Sequence, residues 1–199
     1  MQAVLSEDQM QFKQVIARFF DTHSTMPAVR RLSETETGFD PVVWSELSES
    51  LGLPGTHLPE EYGGHGFGPT ELGIILEEMG RTLYCGPFFS SAVMAGYALA
   101  CFGGEAAKIE KLPQIAAGTT RATLVLDDLN HPSKVGRLIK ANQAGVLTGT
   151  APIVLDGGSA QAFLIVAREP AGLGLFELSP TSPGVEITLQ ESIDMTRKI

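Results

Sequence analysis

Residues 105–126, EAAKIEKLPQIAAGTTRATLVL, decide the fold, because the chain changes its period inside them. Glu105–Leu112 reads as a short helix that leads through Pro113 to Gly118. After Thr119 and Thr120, the six residues from Arg121 to Leu126 carry the Thr, Leu and Val of a strand. Working outward from this switch, everything before it is helical in pattern and everything after it is strand-like.

Upstream, Ser6 is a good N-cap, Gln9 completes a capping box, and Leu5 is placed to staple onto Met10. Phe12, Val15, Ile16, Phe19 and Phe20 follow as one apolar stripe at helical period. A second helix starts at Asp40 with Pro41 in its first turn, carries Val43, Trp44, Leu47 and Leu51, and stops at Gly52. After a loop dense in Gly and Pro (Pro54 to Gly68), a third helix turns Leu72, Ile75, Leu76, Met79 and Leu83 to one side. The fourth, from about Phe88 to Phe102, is apolar on most sides and is expected in the middle of a bundle. Downstream, segments 121–126, 136–141, 145–149, 151–155, 162–168, 173–178 and 184–189 are short, rich in Val, Ile, Leu and Thr, and separated by Gly, Pro, Asn or Asp. Helices in one block and strands in the next predict an α+β chain of two domains rather than an alternating βαβ sheet. The all-α bundle would occupy 1–118 and the antiparallel β domain 119–199.

Composition narrows the function classes. The chain has 199 residues, 43% hydrophobic and 19% charged, with a net charge of −9. That charge argues against nucleic acid, whose phosphates are bound by clustered Lys and Arg. Most of the acidic excess lies in the first 118 residues, as expected of solvated helix faces. The apolar stretch Phe88–Phe102 is shorter than the about 18–20 residues a bilayer span needs. No basic-then-apolar leader opens the sequence. A cytoplasmic protein without a membrane segment is expected. Cys85 and Cys101 both lie in apolar surroundings and read as buried free thiols.

The search for chemistry in the residues alone finds little. Gly63-Gly64-His65-Gly66-Phe67-Gly68 follows a helix and has the wrong spacing for a dinucleotide fingerprint, so it reads as a tight turn. Glu60-Glu61 and Glu77-Glu78 are sequence neighbours, which do not face each other on a helix. The four histidines show no metal-ligand spacing, and no G-x-S-x-G elbow is present. No residue is assigned as catalytic and none as a metal ligand.

Four blocks in order carry a resemblance. Leu58-Pro59-Glu60-Glu61-Tyr62-Gly63-Gly64-His65-Gly66 runs into Leu76-Glu77-Glu78-Met79-Gly80-Arg81. Lys111-Leu112-Pro113-Gln114-Ile115-Ala116-Ala117-Gly118 follows. Asp156-Gly157-Gly158-Ser159-Ala160 with Phe163–Arg168, and then Asp194-Met195-Thr196-Arg197, complete the set. Together they resemble the acyl-CoA dehydrogenase family. The resemblance implies a helical N-terminal domain, a β-barrel-like middle domain, and a C-terminal helical domain that this chain does not contain. It implies FAD as cofactor and an acyl-CoA thioester, fatty or steroid, as substrate. In the family a carboxylate takes the α-proton and hydride passes from Cβ to flavin N5; the usual base is a Glu of the C-terminal domain. It also implies a homo- or hetero-tetramer, with electron-transfer flavoprotein or another acceptor downstream.

The same resemblance places the cofactor against Leu126, Asp127, Ile153 and Leu155. The family's flavin loop reads roughly T-E-P-x-x-G-S. Here the strand Thr123–Leu126 is followed by Asp127-Asp128-Leu129-Asn130-His131-Pro132-Ser133. Where the family stacks an aromatic residue and a Thr or Ser on the ring, this chain has Ile153-Val154-Leu155. Three readings follow: a subunit that works beside an intact partner, a self-sufficient homotetrameric flavoenzyme, or a non-catalytic acyl-CoA-binding module. Stopping at Asp194–Ile199 leaves the middle domain short of its last strands, so a longer native product, or a partner covering that sheet edge, is expected.

Overall fold

The computed structural model describes residues 5–129 and 131–199; Asn130, in the loop quoted above, lies outside them. Helix α1 (Glu7–His23) is capped as expected: the Ser6 hydroxyl accepts from the Gln9 amide at 3.2 Å and the Gln9 side chain accepts from the Ser6 amide at 3.0 Å. A helix not anticipated from the sequence, α2 (Met26–Ser33), follows, with Pro27 in its first turn. It is only eight residues long, too few for a clear period, and Val29 and Leu32 are its buried contacts. Next come α3 (Pro41–Glu49), capped by the Asp40 carboxylate on the Val42 amide, and α4 (Pro69–Arg81).

The apolar segment after α4 is not one regular helix. Phe89–Ala95 is π-helical and Gly96–Phe102 is α-helix α5. The wider π turn serves two adjacent serines, both buried: Ser90 donates to Asp156 at 2.6 Å, and Ser91 accepts from the Ala122 amide at 3.1 Å. This segment therefore joins the helices to the strands. It is not buried all round, because Tyr97 and Phe102 face outward, Phe102 at 80% exposure. For the same reason Cys101 is exposed, contrary to the sequence expectation, while Cys85 is buried; both are free thiols. Helix α6 (Glu105–Ala116) continues through Pro113. Just past its end, the Gly118 carbonyl accepts from the Trp44 indole at 2.8 Å.

Strands β1 (Ala122–Val125), β2 (Lys140–Ala141), β3 (Leu147–Thr148), β4 (Ala162–Glu169) and β5 (Gly172–Leu178) form one five-stranded sheet that does not close. Its pairing is mixed. The β4–β5 hairpin and β2–β3 are antiparallel, but β1 lies parallel to β4, with Ala122 opposite Ala162 and Val125 opposite Ile165. Two expected strands are absent. Residues 151–155 contain Pro152, which has no N–H to give a ladder, and run as loop. Residues 184–189 keep the alternation of Val185, Ile187 and Leu189 but have no strand partner among the described residues. Alternation without a hydrogen-bonded neighbour does not make a strand.

Burial on β4 follows the period of two. Ala162 and Leu164 pack in one cluster with Leu58, Tyr62, Leu99, Leu112 and Ile115 of the helical half. Phe163, Ile165 and Ala167 face the other way, toward Val125, Ile139 and Ala141. A separate helical core joins Ile16, Phe20, Trp44, Leu47, Ile75 and Phe88.

Candidate cofactor-facing site

The loop after β1 is built around Asp127. Thr123 points into the protein and donates its hydroxyl to the Leu155 carbonyl at 2.7 Å, which ties the 151–155 loop to β1. Alternation along the strand and its exit then bring Asp127 to the inside, 2% exposed. Its carboxylate accepts from the Gly136 amide at 2.8 Å, from Leu138 at 2.5 Å and from Ile139 at 3.1 Å. Burial alone would raise this carboxyl, but the donors from Leu138, Gly136 and Ile139 outweigh it and hold Asp127 below the usual carboxylate range.

Beside this knot lies a cavity of about 340 Å³, lined by Leu126, Asp127, Asp128, Leu129, His131, Lys134, Leu138, Pro152 and Ile153. Three of the four positions expected at the cofactor, Leu126, Asp127 and Ile153, meet here. Leu155 does not line the cavity; its carbonyl sits behind, on Thr123. His131 approaches Asp128 at 3.3 Å, Nδ1 to Oδ1. The sequence reading overlooked Gly136, Leu138 and Ile139, which hold Asp127 through backbone groups that no side-chain motif announces. Arg168 was also missed as a support: from β4 its guanidinium donates to the Gly136 carbonyl at 3.2 Å. A cation at the end of an otherwise apolar strand was the available signal.

The fit of a flavin to this site can be judged from its donors. A flavin ring and pyrophosphate need hydroxyl and amide donors at the rim. No Ser or Thr lines the cavity among the described residues. The Thr123 hydroxyl is engaged by the Leu155 carbonyl, and the amides of Gly136, Leu138 and Ile139 are engaged by Asp127. The residues present do not fit a flavin held by this chain's own loop. Among the described residues there is also no group of three or more His, Cys, Asp or Glu that could hold a metal ion. No helix among them is long and apolar enough to cross a membrane.

The match to known proteins agrees with the fold. A family model described as acyl-CoA dehydrogenase, N-terminal domain, covers residues 6–119. The chain belongs to the acyl-CoA dehydrogenase family. Acyl-CoA dehydrogenase FadE27 of Mycobacterium tuberculosis is 31% identical over 159 residues, 80% of this chain and 42% of that protein. Acyl-CoA dehydrogenase IpdE2 of Mycolicibacterium smegmatis is 31% identical over 123 residues, 62% of this chain and 38% of the relative. In fold, the ChsE4-ChsE5 complex from Mycobacterium tuberculosis superposes with TM-score 0.86 at 27% identity, over 100% of this chain and 54% of the other. A variant of the Tcur3481-Tcur3483 steroid ACAD gives 0.83 at 28%, over 96% and 53%. The chain thus spans about half the length of these solved structures and less of the curated relatives.

Proposed function

We propose that this chain is a subunit of a heteromeric acyl-CoA dehydrogenase, working in the cytoplasm on the α,β-dehydrogenation of an acyl-CoA thioester while a partner subunit holds the flavin. Its two domains would be 1–118 and 119–199. Leu126 and Ile153, with Asp127 beneath them and Leu155 behind, would form the face that it turns to the cofactor site of the assembly.

One observation carries this reading: the Asp127 carboxylate occupies the amides of Gly136, Leu138 and Ile139, just beyond the loop that the resemblance assigns to the cofactor. A chain that fills those donors from within leaves the redox group to its neighbour. The match to two structures described as pairs of proteins, one of them a steroid ACAD, supports a heteromeric assembly and a bulky acyl group. The partner's flavin, reduced by hydride from the substrate, would pass its electrons to electron-transfer flavoprotein or another acceptor.

The test is the visible absorbance of the purified full-length protein, alone and co-expressed with a family member that keeps an intact T-E-P-x-x-G-S loop. A flavin band only in the co-expressed sample is the expected result. A full band in the protein alone overturns the proposal in favour of a self-sufficient homotetramer. Absence of flavin in both samples, with retained binding of an acyl-CoA, overturns it in favour of a non-catalytic module.

A further inference from the structure

We infer that the backbone amides of Gly136, Leu138 and Ile139 form an anion cradle, suited to a carboxylate or phosphate oxyanion, whose occupant is the chain's own Asp127 side chain. Three features distinguish this from an ordinary side-chain turn. Asn142 shows the ordinary kind: its Oδ1 accepts from Ala144 at 2.9 Å and Val146 at 3.0 Å, close in sequence and exposed. Asp127 instead reaches amides 9 to 12 residues away, and both of its oxygens are used.

The backbone around these amides is shaped for the purpose. Gly136 adopts φ +79°, and the Arg137 amide turns away to the Lys134 carbonyl at 3.2 Å while those of Gly136, Leu138 and Ile139 converge on Asp127. A Cβ there would lie 2.4 Å from the end of the Leu173 side chain, which can shift, but the positive φ itself strains any residue other than glycine. The peptide between Val135 and Gly136 is also polarised from both ends. Arg168 Nη2 donates to the Val135 carbonyl at 3.5 Å, while the Gly136 amide points at Asp127. A cation on the carbonyl strengthens the amide as a donor.

Asp127 forms part of the wall of the 340 Å³ cavity. Removing its side chain therefore opens the cradle to a space that a small oxyanion can enter. While Asp127 is present, the tethered carboxylate outcompetes anions in solution by its effective concentration. The inference goes beyond the assignment of a flavin-holding partner and does not rest on it, because the cradle is defined by this chain alone.

The test follows the thermal unfolding of the full-length chain and of Asp127→Gly and Asp127→Asn, titrated with sodium formate, inorganic phosphate, and sodium chloride at equal ionic strength. Asp127→Gly should melt below the parent and recover saturably in formate, by roughly 5–10 °C at about a hundredfold excess over its dissociation constant. A further rise with phosphate would extend the cradle to phosphate; a rise with formate alone limits it to carboxylates, and either supports the cradle. The parent and Asp127→Asn, in which the site remains filled, should respond no more to formate than to chloride. Should Asp127→Gly fail to fold, its refolding yield in formate against chloride replaces the melting point. The inference is overturned if formate and chloride act alike on Asp127→Gly in either measurement, or if Asp127→Asn responds to formate as strongly. Because neither readout uses flavin, failure here leaves the absorbance test standing, and a flavin band in the protein alone leaves the cradle standing.

Discussion

Three amides at 2.8, 2.5 and 3.1 Å give the Asp127 carboxylate the donors that water would otherwise supply. Hydrogen bonds to the charged form favour that form, so the folded carboxyl titrates below its ordinary value of 3.8. The sign of the linkage follows. A group whose folded pKa is depressed contributes stability that is fully present above the unfolded value and lost as pH falls through the folded one. Urea midpoints of the parent should therefore fall between about pH 5 and pH 2, and Asp127→Asn should flatten that part of the profile. An unchanged acid limb in the variant would show that Asp127 is not the titrating group. At this scale the sequence was only partly legible. The resemblance implied one site for Leu126, Asp127, Ile153 and Leu155, and the first three of these line one cavity while Leu155 does not. It could not show where the Asp127 charge points, because its partners are main-chain amides nine or more residues away.

Glycines in and beside α4 behave in opposite ways, and the elements explain why. Gly64 lies in the tight turn before α4, where His65 donates to the Gly55 carbonyl at 2.8 Å and Gly66 to that of Leu58 at 2.9 Å. A Cβ on Gly64 would sit 2.0 Å from the Leu58 carbonyl oxygen, which is backbone and cannot swing aside. Gly73, inside α4, would place a Cβ in open space. Gly64→Ala should therefore lower stability by about 1–3 kcal/mol or more, whereas Gly73→Ala should raise it by about 0.5–1 kcal/mol. Denaturant midpoints of the two variants measure both, and equal effects would contradict the geometry.

Elements were legible wherever local chemistry sufficed. The Ser6–Gln9 box, Asp40 before Pro41 and the glycine turn are all found where their residues place them. Elements that depend on distant partners were not. The π turn at Phe89–Ala95 exists because Ser90 and Ser91 meet groups 66 and 31 residues away. The parallel pairing of β1 with β4 likewise spans 40 residues, beyond what a period of two can reveal.

At the scale of the whole molecule, the two halves are joined by polar contacts as well as packing. Asp156 is buried at φ +54°, receives the Ser90 hydroxyl, and lies 3.7 Å from Arg197, which also donates to the Gly86 carbonyl at 2.8 Å. Lys198 donates to the Ser33 carbonyl at 2.7 Å, and Lys111 of α6 pairs with Glu177 of β5 at 2.8 Å. The order of helices and strands was readable from the change of period near Gly118. The fastening between them was not, because Ser33, Gly86 and Ser90 contact residues more than 65 positions later in the chain.

The apolar cluster that unites Leu58, Leu112 and Ile115 with Ala122, Ala162 and Leu164 bears on how the molecule melts. Neither half owns that cluster, so unfolding one strips a wall from the other. Heat should then take both halves in a single cooperative step, with the calorimetric enthalpy equal to the van't Hoff value, despite the change from helices to strands. Two resolved heat-absorption peaks would mean that the halves unfold separately. By the same reasoning, a fragment ending at Gly118 would present an oily face to its neighbours and self-associate, whereas the intact chain keeps that face dry from the moment the first strand docks.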